Sequence, residues 1–153
     1  MKQLKKTLTN IDLSKLAKKY NVKLNGIYMK DELNENNLTD GNYIMNLQNH
    51  DQGGTHWTAF IKHGQNIFYC DSYGQYPPQN EFNLFNKFHH IYILSEDLQD
   101  YNSELCGWFS LYFIIWMNKK PSISRFKSYL NNFSHNTNKN DSILTNIFNK
   151  LSK

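Results

Sequence analysis

Four side chains suited to acyl transfer occur in order along the chain: His56, Asp71, Gln99 and Cys106. Cys106 sits in Gln99-Asp100-Tyr101-Asn102-Ser103-Glu104-Leu105-Cys106-Gly107, directly ahead of an apolar run. The thiol supplies a nucleophile, the imidazole a general base, and the carboxylate a partner that orients the base. The Gln99 amide, seven residues before the thiol, supplies a donor for an oxyanion. Taken singly, each of these residues has an ordinary structural reading: free cysteines are commonly buried, and a lone His or loop Gln is commonplace. The order and spacing of all four point to thiol-dependent peptide hydrolysis. Cys70 has no such context and is expected to pack. His50, His63, His89, His90 and His135 read as structural or solvated, and the His89-His90 pair lacks the spaced partners of a metal site. Asp100 and Glu104 compete with Asp71 as orienter, but they flank the nucleophile instead of the base.

The elements that must position these groups follow from the surrounding pattern. Ser103–Lys119 reads as a helix, with Asn102 or Ser103 as cap and Pro121 just past its end. Trp108, Phe109, Leu111, Tyr112, Phe113, Ile114, Ile115 and Trp116 leave it no polar face, which marks a buried central helix. Cys106 then falls in the first turn, where unpaired N–H groups and the positive dipole end favour an anion. The Cys106 N–H points where a tetrahedral oxyanion would form, and Gly107 is expected to keep the adjacent wall open. His56 opens a strand after Gln52-Gly53-Gly54-Thr55, whose glycines let a substrate backbone approach closely. Gly54 and Trp57 are therefore candidate substrate-binding residues, with Trp57 expected mainly to pack. Strand signals cover Tyr43–Leu47, His56–Lys62, Ile67–Asp71 and Ile91–Leu94. The link His63-Gly64-Gln65-Asn66 suits a hairpin, which would bring His56 and Asp71 to the same end of neighbouring strands.

Elsewhere, residues 10–20 read as an amphipathic helix through Leu13, Leu16, Ala17 and Tyr20. Asn25–Leu33 reads as a loop docked on the core, and Asn34–Gly41 as turns. Pro77-Pro78 breaks the chain before a helix at Glu81–Phe88 with Phe82, Phe85 and Phe88 on one side. Ser122–Leu130 and Asp141–Leu151 read as two surface helices. At 153 residues with no linker or repeat, the expectation is one domain over 1–153: an α+β fold with a small, mainly antiparallel sheet around the buried helix.

Composition narrows the classes. The aromatic share is 15%, with ten Tyr and ten Phe, so large rings carry much of the burial. Two cysteines without regular spacing support neither a disulfide framework nor a zinc ribbon. The start of the chain lacks the apolar stretch of a signal peptide, and the run Cys106–Met117 is far short of the ~20 residues a membrane span needs. A monomeric, intracellular protein without cofactor or metal is expected. The net charge of +4 permits contact with a polyanion without requiring it.

Gly-Gly-Thr-His-Trp (53–57), Asp-Ser-Tyr-Gly (71–74) and Gln-x-x-Asn-Ser-x-x-Cys-Gly (99–107) resemble the motifs of the adenovirus-type endopeptidase, adenain, and of its relatives in virophages, Polinton-like elements and other large DNA viruses. Gly26–Leu33 and Ile44–Leu47 are similar to family segments upstream of the histidine, so the likeness runs from about residue 8 to about residue 118. The resemblance implies a permuted papain-like (adenain-like) cysteine protease fold, with His56 as base, Asp71 as orienter, Cys106 as nucleophile and Gln99 in the oxyanion hole. It implies capsid or core precursors as substrates, cut near glycines during virion maturation in the host cytoplasm, virus factory or virion. The adenoviral member is switched on by a disulfide-linked peptide and by DNA. Here Cys70 lies inside a strand, where no such peptide is expected to attach, while Lys2, Lys5, Lys6, Lys15, Lys18 and Lys19 leave non-specific DNA contact open. The alternatives are a SUMO/ubiquitin-like deconjugase with the same residue set, an acetyltransferase using the same triad, and a non-catalytic capsid module.

Overall fold

The computed structural model describes residues 2–48, 56–87 and 89–153. Its organising element is the helix α3, Cys106–Asn118, in which every residue from Cys106 to Ile114 is buried. Buried aliphatic and aromatic side chains of this kind each contribute about 1.5–3 kcal/mol. The helix starts three residues later than the sequence pattern implied. Leu105 takes the cap position without a side-chain bond. Ser103 instead braces the approach to the helix: its Oγ accepts from Leu105 N–H at 3.2 Å and donates to Asp141 Oδ1 at 2.7 Å. At the far end, Arg125, the only arginine of the chain, donates from Nε to Trp116 O at 2.9 Å and stacks over the indole at 3.3 Å. A cation at the C-terminal carbonyls complements the helix dipole.

A five-stranded sheet lies against α3 in the order β1-β2-β3-β4-β5. The strands are β1 (Gly26–Met29), β2 (Gly41–Asn46), β3 (Trp57–His63), β4 (Asn66–Cys70) and β5 (His90–Ile93). The central three are antiparallel, and the two edge strands join in parallel, which makes the sheet mixed. Gly26–Met29, expected as a docked loop, is thus an edge strand. It returns to the sheet through the short 3-10 turns Lys30–Glu32 and Glu35–Asn37. The other edge is reached through α2, Gln79–Asn86.

Alternation along the strands divides the sheet's side chains between two cores. Ile44, Ala59, Ile61, Phe68 and Cys70 belong with Phe109, Leu111 and Phe113 of α3. Tyr43, Met45, Phe60, Ile67 and Tyr69 face the other way and close over Phe85 of α2. The first core is completed by Leu13 and Ala17 of α1 (Asn10–Lys19), Phe126 of α4 (Ile123–Ser128), and Leu144 and Phe148 of α5 (Asn140–Leu151). The expected Phe88 at the end of α2 lies outside the described residues.

Candidate active site

The hairpin β3–β4 does what its turn sequence implied. His63 pairs with Asn66 and Ala59 with Cys70, and Gly64 takes the left-handed conformation (φ +59°) that the turn needs. His56 immediately precedes β3 and Asp71 immediately follows β4, so the register sets them side by side. His56 Nε2–H donates to Asp71 Oδ1 at 2.8 Å. The same oxygen accepts from Tyr73 N–H at 2.8 Å, and the carboxylate is buried at 1% exposure.

Cys106 arrives from the other direction, as the first residue of α3. Because α3 packs across β3, its Sγ lies 3.5 Å from Trp57 N–H, which donates to it. The Cys106 side chain acts on His56 alongside Asp71, and both favour the charged imidazole. With Nε2 taken by Asp71, Nδ1 is the ring nitrogen left for the sulfur. Burial pushes the His56 imidazole down, but the Asp71 hydrogen bond, the Cys106 side chain and the Asp71 charge together raise it from 6.5 to about 9. The ring therefore carries its charge at neutral pH, between a buried carboxylate and a sulfur.

Gln99 is held deeply, at 1% exposure. Its Oε1 accepts from Ser72 Oγ at 2.5 Å, and its Nε2 donates to Ser103 O at 3.0 Å and Ser103 Oγ at 3.2 Å. The backbone joins the same loops, since Leu98 N–H and Gln99 N–H both donate to Ser72 O, at 2.8 and 3.0 Å. The segment after Asp71 and the segment before Cys106 are thereby tied together. Gly74 makes that possible. Its φ is +72°, and a Cβ there would meet the Glu96 carbonyl carbon at 2.8 Å.

One expected role changes, that of Gly107. Trp57 is a core residue, 6% exposed, with its indole N–H donating to Leu8 O at 2.8 Å; it reaches the sulfur through its backbone. Gly107 does not keep a wall open: a Cβ there would lie 3.1 Å from Leu8 Cβ and Cδ1, so the glycine admits Leu8. Gly54 and the rest of Asn49–Thr55 lie outside the described residues. Cys70 is buried, and its thiol is pushed well above the ordinary range by burial and then by Asp71. Ser72, Ser103 and Tyr73 were not singled out for the site. Tyr73 lays its ring over His56, with centroids 4.9 Å apart at 30°. Its position two residues after Asp71 was the available signal.

No family model and no curated protein matches the sequence. Solved structures do match. The ASFV pS273R protease aligns over 87% of this chain and 62% of its own, with a TM-score of 0.54 at 18% identity. A selenomethionine form of the same protease aligns over 68% of this chain and 43% of its own, with a TM-score of 0.46 at 19% identity. The SUMO protease Ulp1, with its catalytic cysteine oxidised to a sulfinic acid, aligns over 81% of this chain and 59% of its own, at 0.37 and 14%. The chain spans less than two thirds of each of these proteins. Its fold, an α+β arrangement of a mixed five-stranded sheet on a buried helix, is that of the ASFV pS273R protease.

Proposed function

We propose that this chain is a cysteine-type endopeptidase with His56, Asp71, Gln99 and Cys106 as its catalytic set. The observation that carries the reading is the His56 imidazole bonded to Asp71, with the sulfur of Cys106, the first residue of the buried helix, accepting from the N–H of the adjoining Trp57. The likeness in fold to a protease supports it.

In the reaction, the Cys106 sulfur attacks the scissile carbonyl carbon and a C–S bond forms, giving a tetrahedral adduct that becomes a thioester when the amine leaves. The carbonyl oxygen gathers negative charge and takes hydrogen bonds from the Cys106 N–H, at the start of α3, and from Gln99 Nε2. Both Nε2 contacts of Gln99 run to one residue, Ser103. The oxyanion replaces the longer of them, the one to Ser103 Oγ, whose own hydrogen is engaged with Asp141. The C–N bond breaks as His56 gives its proton to the leaving amine. Neutral His56 then takes a proton from water, the new C–O bond forms, and the C–S bond breaks to restore the thiol pair. Asp71 holds the ring so that Nδ1 serves the sulfur throughout.

The substrates in this reading are capsid or core precursor proteins of a virus, cut near glycine-rich sites. A narrow residue at the cleavage point suits a nucleophilic residue that is only 8% exposed, and Gly54, two residues before His56 in sequence, would let the substrate backbone approach. The test is digestion of a glycine-rich peptide library by the wild type and by Cys106→Ala, with product masses read out. Wild-type cleavage that iodoacetamide abolishes, and none by the variant, supports the proposal. Cleavage of a ubiquitin-like fusion alone would move the assignment to a deconjugase.

A further inference from the structure

Beside the Cys106 helix, a cavity of about 510 Å³ opens between the N-terminal segment, α1, α3 and α5. That volume is within the range of small-molecule sites, roughly 300–1,000 Å³. Its floor is apolar, made by Leu4, Leu8, Leu16, Tyr20, Trp108 and Phe148. Its lining also includes four lysines from two elements: Lys2 and Lys5 on the N-terminal segment, Lys15 and Lys19 on α1. All four are exposed residues. Among the described lining residues the single carboxylate, Asp12, is occupied by Lys5 at 2.9 Å and by the Thr9 N–H at 3.0 Å. Lys15 and Lys19 are four residues apart, on the same side of α1 as Leu16 and Tyr20.

We propose that this cavity binds a carboxylate with an apolar body, of the size of a medium-chain fatty acid. Apolar carbon would displace water from the Leu, Tyr, Trp and Phe floor, and the carboxylate would meet the ammonium groups of the rim. A phosphate backbone would find the lysines but has nothing to fill the floor. An uncharged alcohol would fill the floor but bring no charge to Lys2, Lys15 and Lys19, the lining lysines other than Lys5, which Asp12 holds. The cavity also borders the candidate active site through Leu8. That side chain packs against Gly107, and its carbonyl accepts from the Trp57 indole. A ligand seated on Leu8 therefore presses on the residues that follow Cys106 and His56 in sequence. This coupling rests on the reading of the active site; the binding itself does not.

Trp108 is the only tryptophan lining the cavity, so its fluorescence reports on occupancy. The experiment is a titration with dodecanoate below its micelle concentration, alongside dodecanol and a short DNA duplex. Dodecanoate should change the emission saturably and bind roughly tenfold more tightly than dodecanol. The double variant Lys15→Glu/Lys19→Glu should weaken it by roughly tenfold, and Leu16→Trp should block the cavity while both proteins keep the wild-type circular dichroism spectrum. Equal affinity for dodecanol, or no effect of the lysine reversals, would overturn the anionic ligand. Displacement of dodecanoate by the duplex would overturn it in favour of a polyanion surface. Bound dodecanoate should also change the rate of Cys106 alkylation a few-fold. An unchanged rate with intact binding would overturn the coupling alone.

Discussion

Replacing Asp71 with Asn tests the electrostatics of the site directly. Asparagine keeps the shape of a side chain that is 1% exposed and removes the charge facing His56 at 2.8 Å. In the wild type the imidazole is pushed down by burial and brought up, chiefly by the Asp71 bond, to about 9 from an ordinary 6.5. A rise of that size corresponds to roughly 3 kcal/mol of preference for the imidazolium. The folded value lies above the unfolded one. The stabilisation is thus present in full below about pH 6.5 and fades as the pH rises through about 9. Without the carboxylate, Cys106 alone opposes the effect of burial, and the midpoint should fall by roughly 1–3 pH units. The assay is nuclear magnetic resonance titration of the His56 ring in both proteins, paired with urea unfolding at pH 6 and pH 9.5. The account expects a wild-type midpoint near 9 and a variant midpoint well below it. It also expects a stability gap of about 2–3 kcal/mol at pH 6 that narrows at the higher pH. Equal midpoints in the two proteins, or a gap independent of pH, would rule out Asp71 as the group that holds the charge on His56.

Gln99→Ala should lower kcat by roughly 10²–10³ while peptide binding changes little, because the lost donor acts on the transition state; steady-state kinetics separates the two. Tyr73→Ala should slow hydrolysis by roughly tenfold and alter the pH profile, since its ring lies over His56 at 4.9 Å. Tyr73→Phe keeps the ring and should keep both. Gly74→Ala should cost about 1–3 kcal/mol in denaturant unfolding, as its φ of +72° and the Glu96 backbone at 2.8 Å leave no room for Cβ.

How far the sequence could be read varies with the physics of each segment. The apolar run at 106–117 has no polar face, and only one environment can hold such a helix, so α3 and its burial were legible. The hairpin was legible because Gly64 supplies a conformation that few residues adopt, and its register then fixes His56 against Asp71. β1 was not legible: its four residues are all half-buried, and their strand character comes from parallel pairing with β2, a long-range contact that leaves no local period. The parallel edges escaped notice for the same reason. The start of α3 was read too early because Asn102 and Ser103 are good caps in isolation. Ser103 is instead committed to Leu105, Asp141 and Gln99, and none of those three partners lies within the helix. Gly107 was misjudged because only the folded chain shows that Leu8 fills the space beside it.

The most direct test of the central claim is the covalent intermediate. A good peptide substrate would be mixed with the wild type, quenched in acid within milliseconds, and the digest mapped by mass spectrometry. The account predicts an acyl group on the peptide containing Cys106, in amounts that rise and decay with turnover, and none in Cys106→Ala. Undiminished cleavage by Cys106→Ala, or an acyl group carried by any other residue, would contradict it.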